Sequence, residues 1–225
     1  MVPEPVLEFD QVTRRFAGPP EVTALEDCTL SIEAGAFVTV RGPSGSGKSS
    51  WLHLAGLLDR PTEGTIRLAG HDTSTISDRK RTALRAAHIG FVFQAFYLLP
   101  QRTVRENLEL QGIYQGVPPR QRSVEAERIA ERVGLTHRLD SFAGTLSGGE
   151  MQRAAIGRAL FGTPNIMLCD EPTGNLDSVN GAQIVDLLHR LNDDGITIVI
   201  ITHDPDLAAH GSQRFTVRDG RFHCE

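Results

Sequence analysis

The sequence has no long hydrophobic run, few cysteines and no extended basic stretch. Its longest apolar segment, 196–201, is as long as a strand and far shorter than the roughly 20 residues of a membrane-spanning helix. The first ten residues carry acids and prolines without an apolar core, so we expect no signal peptide. We therefore expect a cytoplasmic chain that reaches any membrane through a partner.

The three cysteines do not form a metal or disulfide pattern. Cys28, Cys169 and Cys224 are far apart, and no pair has CxxC spacing. An odd number without such spacing argues against a disulfide framework and against a structural zinc site. Cys169 lies within an apolar run and is expected to pack as a small core residue.

Composition and charge indicate an ordinary globular protein rather than a nucleic-acid binder. The 225 residues are 40% hydrophobic and 23% charged, a mixture that supports a sizeable core. A formal net charge of -5 leaves no broad positive surface for a phosphate backbone, so we expect no nucleic-acid partner. The short basic run Arg79-Lys80-Arg81 is typical of a solvated helix face.

Strand-like and helix-like segments alternate at both ends of the chain, whereas the middle is helical. The two ends predict a parallel sheet covered by helices, with segment 6–12 as an edge strand. The helical middle predicts an inserted lobe. The predicted strands are 6–12, 24–32, 36–41, 64–68, 89–93, 166–170 and 196–202, and the predicted helices lie within 48–57, 104–161 and 184–191.

A glycine-rich loop follows the third predicted strand and precedes a helix. It matches the pattern G-x-x-x-x-G-K-[ST], in which glycines let backbone amides approach and cradle phosphate oxygens. Lys48 can reach the β- and γ-phosphates, and the Ser49 hydroxyl can bind Mg²⁺. The motif predicts a nucleoside triphosphatase that binds phosphate through Gly42, Pro43, Ser44, Gly45, Ser46, Gly47, Lys48, Ser49 and Ser50.

Two acids, Asp170 and Glu171, end an apolar strand. Buried carboxylates without a partner are costly, and a Mg²⁺ ion at the carboxyl ends of parallel strands would supply that partner. Asp170 is expected to face the metal, directly or through water, while Glu171 polarises an attacking water. Taken alone, the pair is equally compatible with a helix cap or a turn. Beside a phosphate loop, the metal site is favoured.

A second anion-binding feature opens a later helix. Leu146, Ser147, Gly148, Gly149 and Glu150 place a hydroxyl and free amides at a helix start. One chain has no obvious use for two γ-phosphate sites, so the feature predicts two copies that face each other, each completing the other's site. An ordinary capped helix is the alternative.

Together these motifs resemble the nucleotide-binding domains of ABC ATPases, and the resemblance covers almost the whole chain. It implies one domain over 1–225 with a P-loop NTPase (RecA-like) α/β core, in which an N-terminal antiparallel β subdomain joins the parallel sheet. That core is expected at about 1–94 and 162–225, with an α-helical signature subdomain inserted at about 95–161. It further implies hydrolysis of ATP to ADP and phosphate, with ATP and Mg²⁺ as cofactors.

The resemblance also implies roles for single residues. Phe16 matches the aromatic side chain that stacks on adenine, and Gln94 matches the glutamine that links Mg²⁺ to the membrane-facing lobe. Asp177 matches the loop that communicates across the dimer, and His203 the switch histidine at the γ-phosphate. The implied metal ligands are Ser49, Gln94 and Asp170, and the implied catalytic residues are Lys48, Glu171 and His203.

Segments 89–100 and 170–178 are similar to the branch that serves lipoprotein release, macrolide export and bacterial cell division. That branch implies a second copy or a homologous subunit as dimer partner, and an integral membrane permease driven by ATP. The chain would then lie peripherally on the inner face of the cell membrane, in export, lipoprotein release or force transmission. An ATP-dependent regulatory subunit of a non-transport complex, such as cell-division machinery, stays open as the alternative.

Other classes fit the sequence less well. A DNA-repair ABC ATPase would carry a long coiled coil between the phosphate loop and the signature, and a GTPase would leave the signature unexplained. Three positions depart from the residues usual in the family: Glu150 replaces glutamine, Trp51 replaces leucine and Gly157 replaces alanine. Gly157 is expected to cost its helix about 0.5–1 kcal/mol. None of the three removes a catalytic group.

Overall fold

The computed structural model describes residues 5–225. The strands in this part of the chain are β1 (Pro5–Phe16), β2 (Val22–Glu33), β3 (Phe37–Arg41), β4 (Glu63–Leu68), β5 (His71–Asp72), β6 (Ile89–Val92), β7 (Ile166–Asp170), β8 (Thr197–Ile201), β9 (Gln213–Arg218) and β10 (Arg221–Cys224). The helices are α1 (Lys48–Ala55), α2 (Asp78–His88), α3 (Val104–Tyr114), α4 (Pro119–Arg132), α5 (Gly148–Leu160), α6 (Ser178–Asp193) and α7 (Pro205–Ala208). Short 3₁₀ turns cover Thr136–Arg138 and Ala143–Thr145.

The strands form two sheets. One is antiparallel, in the order β2-β1-β4-β5, and the other has the order β10-β9-β3-β8-β7-β6. In the second sheet, β9, β3, β8, β7 and β6 run parallel, and β10 pairs antiparallel at the edge. The predicted α/β class, with a parallel core and an antiparallel β subdomain, is confirmed.

The first strand does not lie at an edge. β1 is hydrogen-bonded to β2 on one side and to β4 on the other, so the predicted edge position of 6–12 is wrong. The partner β4 comes some fifty residues later in the chain. The local alternation of apolar and polar residues in β1 does not reveal a strand partner that distant.

The parallel sheet has an apolar core on each face, which is why β8 is buried along its whole length. Cys169 faces the layer that contains α6, as expected for a core residue. The opposite face packs on α1, which lies between the two sheets. There Trp51 is fully buried and stacks on Phe9 of β1, with ring centroids 5.6 Å apart. The unusual tryptophan thus fills the space between the sheets.

In the helical middle, α3, α4 and α5 pack on one another, and their buried side chains continue the core on the α6 face of the parallel sheet. A Cβ added at Gly157 in α5 would lie 2.7 Å from Leu108 Cδ2 and 3.1 Å from Ile129 Cγ2. Glycine therefore lets α5 approach α3 and α4 closely, which offsets its cost in helix propensity. The lobe boundaries at about 95 and 161 stay a prediction. None of the helices in residues 5–225 combines the length and the apolar character of a membrane span.

The basic run on α2 is only partly solvated. Arg79 and Lys80 are exposed, but Arg81 is buried and donates to the backbone carbonyl oxygens of Leu57 and Asp59. The prediction of a solvated face is therefore wrong for Arg81, because its guanidinium satisfies the free carbonyls after α1.

A C-terminal hairpin, β9–β10, completes the parallel sheet and was not predicted. Its turn consists of Asp219 and Gly220, with φ of 48° and 76°. An Asp-Gly pair between strand-like segments is a strong hairpin signal, so the sequence contained the clue. The turn supports the phosphate loop, because Gly220 N donates to Ser46 O at 3.0 Å.

Candidate active site

The phosphate loop, residues 42–49, is shaped by the strands around it as well as by its own sequence. A Cβ at Gly42 would overlap the carbonyl oxygen of Val217 in β9, and one at Gly47 would overlap that of Ala24 in β2. Gly47 also has φ 105°, the left-handed region that favours glycine. Both glycines are therefore required by packing before any ligand is considered.

Lys48 begins α1 and folds back over the loop. Its ammonium donates to Gly42 O and Pro43 O, each at 2.8 Å. The charge therefore lies within the loop at the N-terminus of α1, where backbone amides and the helix dipole also favour an anion. The neighbouring hydroxyl of Ser49 is exposed beside it. This arrangement can bind a polyphosphate.

Asp170 ends β7 close to the phosphate loop. Burial raises the pKa of its carboxyl, as does the negative charge of Glu171, while His53 and Lys48 act in the opposite direction. The carboxylate is thus poorly compensated by the side chains around it. A bound cation would relieve that imbalance.

Glu171 has a strained backbone and a side chain with two polar contacts. Its φ is 46°, its amide donates to Ile201 O at 2.9 Å, and its carbonyl accepts from Gly174 N at 3.0 Å. Non-glycine residues in the left-handed region cost energy and cluster at functional sites. The carboxylate meets His203 Nδ1 at 2.7 Å and accepts from Thr202 Oγ1 at 3.4 Å. The hydrogen bond that His203 donates to Glu171 raises the pKa of His203.

His203 and the phosphate loop share one cavity. Its volume is about 780 Å³, and its walls include Gly42, Pro43 and His203. The structure therefore brings together the loop, the two strand-end acids and the histidine, all at the carboxyl edge of the parallel strands. This is where ligands bind in open α/β sheets.

Gln94 lies beside the segment that follows Glu171. Asn175 Nδ2 donates to Gln94 O at 2.9 Å, and a Cβ at Gly174 would lie 2.8 Å from Gln94 Nε2. The exposed amide thus has room at this site only because residue 174 is glycine.

Phe16 is positioned as an exposed aromatic surface near the loop. The end of β1 carries it, paired with Val22 of β2, two residues before the Ala24 carbonyl that touches Gly47. The residue is 42% exposed, and the Arg14 guanidinium lies 4.4 Å from the ring centroid. Arginine over one face is a cation–π contact.

Ser147 caps α5 in a reciprocal box with Glu150. Glu150 N donates to Ser147 Oγ at 3.3 Å, and Ser147 N donates to Glu150 Oε2 at 2.9 Å. Arg138 Nε donates to the other carboxylate oxygen at 2.8 Å. The Ser147 amide, joined by Arg138, lowers the pKa of Glu150 to about 2. Glutamate thus adds an ion pair that glutamine could not form.

The signature helix packs on the start of α6. Leu146 is buried, Gly148 lies near Leu176, and a Cβ at Gly149 would overlap the Asn180 side chain. Asp177 caps α6 by accepting from the amide and side chain of Asn180, which lowers its pKa.

Comparison with known proteins decides the family. A family model described as ABC transporter matches residues 25–174, which extend from β2 to the segment after Glu171. The chain belongs to the ABC transporter family.

Curated relatives of this ABC protein are larger. It is 44% identical over 220 residues to the macrolide export ATP-binding/permease protein MacB of Nitrosomonas europaea, covering 97% of this chain and 33% of that one. It is 42% identical over 222 residues to the pyoverdine export ATP-binding/permease protein PvdT of Pseudomonas aeruginosa, covering 98% and 34%. The chain spans about a third of the length of these relatives.

A solved structure matches almost the whole of the cassette. The ATP-binding cassette MJ0796, in a dimeric post-hydrolysis state bound to ADP and Pi, superposes with a TM-score of 0.87 at 38% identity, covering 97% of both chains. The recognised family and the fold of this chain are therefore confirmed. The roles that the resemblance implies for single residues stay predictions.

Four polar side chains of the cassette were not predicted as site residues. Arg14 contacts Phe16 and Arg138 pairs with Glu150, as described above. Gln152 Nε2 donates to Pro172 O at 2.7 Å, and Arg158 donates to the carbonyl oxygens of Phe96, at 3.0 Å, and Tyr97. The two side chains join α5 to the segments after Glu171 and Gln94. Sequence spacing gave no signal for them, because their partners are backbone atoms from distant segments.

Proposed function

We propose that this cassette binds and hydrolyses ATP and that two copies close around two nucleotides to drive a membrane partner. The observation that carries the proposal is the Glu171–His203 pair, at the strand edge that also bears Lys48 and Asp170. A carboxylate that is held in place by hydrogen bonds at this edge suits the positioning of a water molecule beside a γ-phosphate.

The phosphates would lie in the loop, held by its amides and by Lys48. The ammonium now bonds only to backbone carbonyl oxygens of the loop among the described residues, so it can turn to a phosphate without breaking an ion pair. Adenine would stack on Phe16, whose ring stays partly exposed while Arg14 contacts it.

Ser49, Gln94 and Asp170 fit a Mg²⁺ ion. All three present oxygen ligands, which Mg²⁺ prefers, and burial with like charge leaves Asp170 in need of a cation. When bound, the ion would neutralise charge on the β- and γ-phosphate oxygens. The residues of the chain hold the ion and orient water.

Two copies would complete each site. Ser147, Gly148 and Gly149 open α5 with a hydroxyl and backbone amides, features that suit the γ-phosphate of a facing copy. The post-hydrolysis structure of the similar cassette MJ0796 is described as dimeric, which supports the same arrangement here. Asp177 would lie near the dimer interface.

The membrane partner would dock on the helical middle and hold the cassette at the inner face of the cell membrane. A groove of about 320 Å³ between β6 and α3 is lined by Phe91, Phe93 and Tyr114. Nearby, Tyr114 and Tyr97 are 83% and 67% exposed. We infer that a permease segment covers this surface, because the similar export proteins are named as joined ATP-binding and permease proteins.

Two variants test the hydrolysis and the dimer. Lys48→Ala should abolish ATP turnover, and substantial activity in that variant would refute the proposal. Glu171→Gln should bind ATP without turnover and accumulate a dimer by light scattering. Lys80→Ala, an exposed lysine on α2, is the matched control and should leave turnover unchanged.

A capture experiment tests the identity of the partner. The Glu171→Gln chain is trapped with ATP and recovered from gently solubilised membranes of its source, and the co-purifying proteins are identified. A membrane protein with few spans and a large outer domain would support force transmission or export. Recovery of a wall-processing complex would favour the regulatory alternative. A trap that dimerises without any membrane protein would overturn the proposed partner.

A further inference from the structure

We propose that Gln152 is a positioning residue that couples the signature helix of one chain to the Glu171 of the same chain. The proposal rests on the function proposed above, in which the start of α5 serves the nucleotide of the facing copy. Gln152 would then transmit the engagement of one site to the catalytic geometry of the other.

Gln152 is a buried side chain directed at the catalytic segment. It is 1% exposed, and its Nε2 donates to Pro172 O at 2.7 Å. Its Oε1 is buried and has no hydrogen-bond partner within residues 5–225. A buried amide with one unpaired oxygen is costly, so helix packing alone does not account for the glutamine.

The hydrogen bond from Gln152 lies next to the strained backbone of Glu171. Pro172 directly follows Glu171, whose φ of 46° must be held by its surroundings. On one side Ile201 O accepts from the Glu171 amide at 2.9 Å. On the other side the Gln152 amide fixes the next carbonyl. A shift of α5 would therefore move the peptide between Pro172 and Thr173, and through Pro172 the backbone that carries the Glu171 carboxylate.

The same helix carries the signature. Ser147 caps α5, and Gln152 lies five residues further, so one rigid element joins the surface proposed to face the partner's nucleotide to the chain's own Glu171. A helix moves as a unit over this distance. Coupling between the two sites of a dimer thus has a direct physical route.

Gln152→Met removes the donor and keeps the length of the side chain. Because Oε1 is unpaired, the substitution also removes an unsatisfied acceptor, which limits the loss of stability. The thermal midpoint and the ATP affinity of the variant report its folding. If Gln152→Met fails to fold, Gln152→Leu, which also lacks the amide donor and buries no charge, replaces it.

Mixed dimers separate the two sites. One chain carries Glu171→Gln, is inactive as a homodimer and is supplied in large excess; the other keeps Glu171. Every active site then uses Glu171 of the second chain and Ser147 of the first. Gln152→Met in the second chain should lower kcat about ten- to a hundred-fold with little change in KM. The same substitution in the first chain should change kcat little.

The two placements of Gln152→Met also test the rival explanation that Gln152 acts through Ser147 on the facing site. Equal loss in both placements, or a larger loss in the first chain, would mean that Gln152 acts through Ser147 and would overturn the proposal. No loss in either placement would overturn it as well. If the wild-type homodimer already lacks ATP turnover, the proposed function fails instead, so the two failures are distinguishable.

Discussion

His203 Nδ1 lies 2.7 Å from Glu171 Oε1, so an exposed imidazole rests on a nearly buried carboxylate at the end of β7. The two side chains are 75% and 16% exposed. The contact ties β7 to the segment after β8, next to the phosphate loop. Any movement of His203 therefore changes the surroundings of the proposed catalytic carboxylate.

This contact predicts the titration of His203. Hydrogen bonding to Glu171 raises its pKa above the ordinary 6.5, with a smaller contribution from Asp204. The pair therefore stabilises the fold fully below pH 6.5, and the contribution is lost as pH rises through the raised pKa. NMR titration should show Glu171→Gln lowering the pKa more than Asp204→Asn. An equal effect of both variants would contradict the contact.

Glycines 47 and 45 of the phosphate loop should respond differently to alanine. Both have positive φ, 105° and 76°, but an added Cβ meets open space at Gly45 and overlaps the Ala24 carbonyl at Gly47. Gly45→Ala should cost about 1–2 kcal/mol of unfolding free energy from the backbone alone. Gly47→Ala should cost clearly more, because β2 must also shift. Urea denaturation measures both, and equal costs would show that the loop is free of the β subdomain.

Most of the fold could be predicted because its signals are local. The phosphate loop, the apolar strand before Asp170 and the continuous apolar run of β8 are each visible in a few consecutive residues. The position of β1 could not be predicted, because its second neighbour β4 comes from a distant segment. The β9–β10 hairpin had a local signal in Asp219-Gly220 and was missed all the same.

The surroundings of the site side chains were harder to predict from the sequence than the motifs themselves. The motif at Ser147 gave the helix start, but the Arg138 partner of Glu150 comes from a preceding 3₁₀ turn. The strand ending in Glu171 was evident, yet its left-handed backbone and the Gln152 bond beside it depend on tertiary packing. Residue spacing predicts which side chains form the site. It does not show which backbone atoms hold those side chains in place.

Glu150→Gln should destabilise the chain in a pH-dependent way. The pKa of Glu150 falls from 4.5 to about 2 through the Ser147 amide and Arg138, so the charged form stabilises the fold. That contribution is complete above pH 4.5 and is lost as pH falls towards 2. At pH 7 the variant should unfold about 1–2 kcal/mol more easily, since a helix cap and a partly exposed ion pair are weakened.

Denaturant titrations at several pH values test this. The difference between wild type and Glu150→Gln should stay constant from neutral pH to near 5 and shrink below that. Arg138→Met should show the same trend with a smaller amplitude, because the capping box stays intact. A difference that does not change with pH would assign the effect to packing rather than to charge.

Alanine at two helix glycines, Gly157 in α5 and Gly181 in α6, should act in opposite directions. In α6 a Cβ at Gly181 would meet Thr173 at an ordinary 3.8 Å, so Gly181→Ala should stabilise by about 0.5–1 kcal/mol through helix propensity. In α5 a Cβ at Gly157 would approach Leu108 to 2.7 Å. Overpacking costs about 1–3 kcal/mol and outweighs the same gain in helix propensity, so Gly157→Ala should destabilise by about 1 kcal/mol.

A double variant with Leu108→Val, which shortens the opposing side chain, should recover part of that loss relative to Leu108→Val alone. Stabilisation by Gly157→Ala would mean that α3 and α5 are not tightly packed, and that the glycine is a neutral departure from the family rather than a requirement of the helical core.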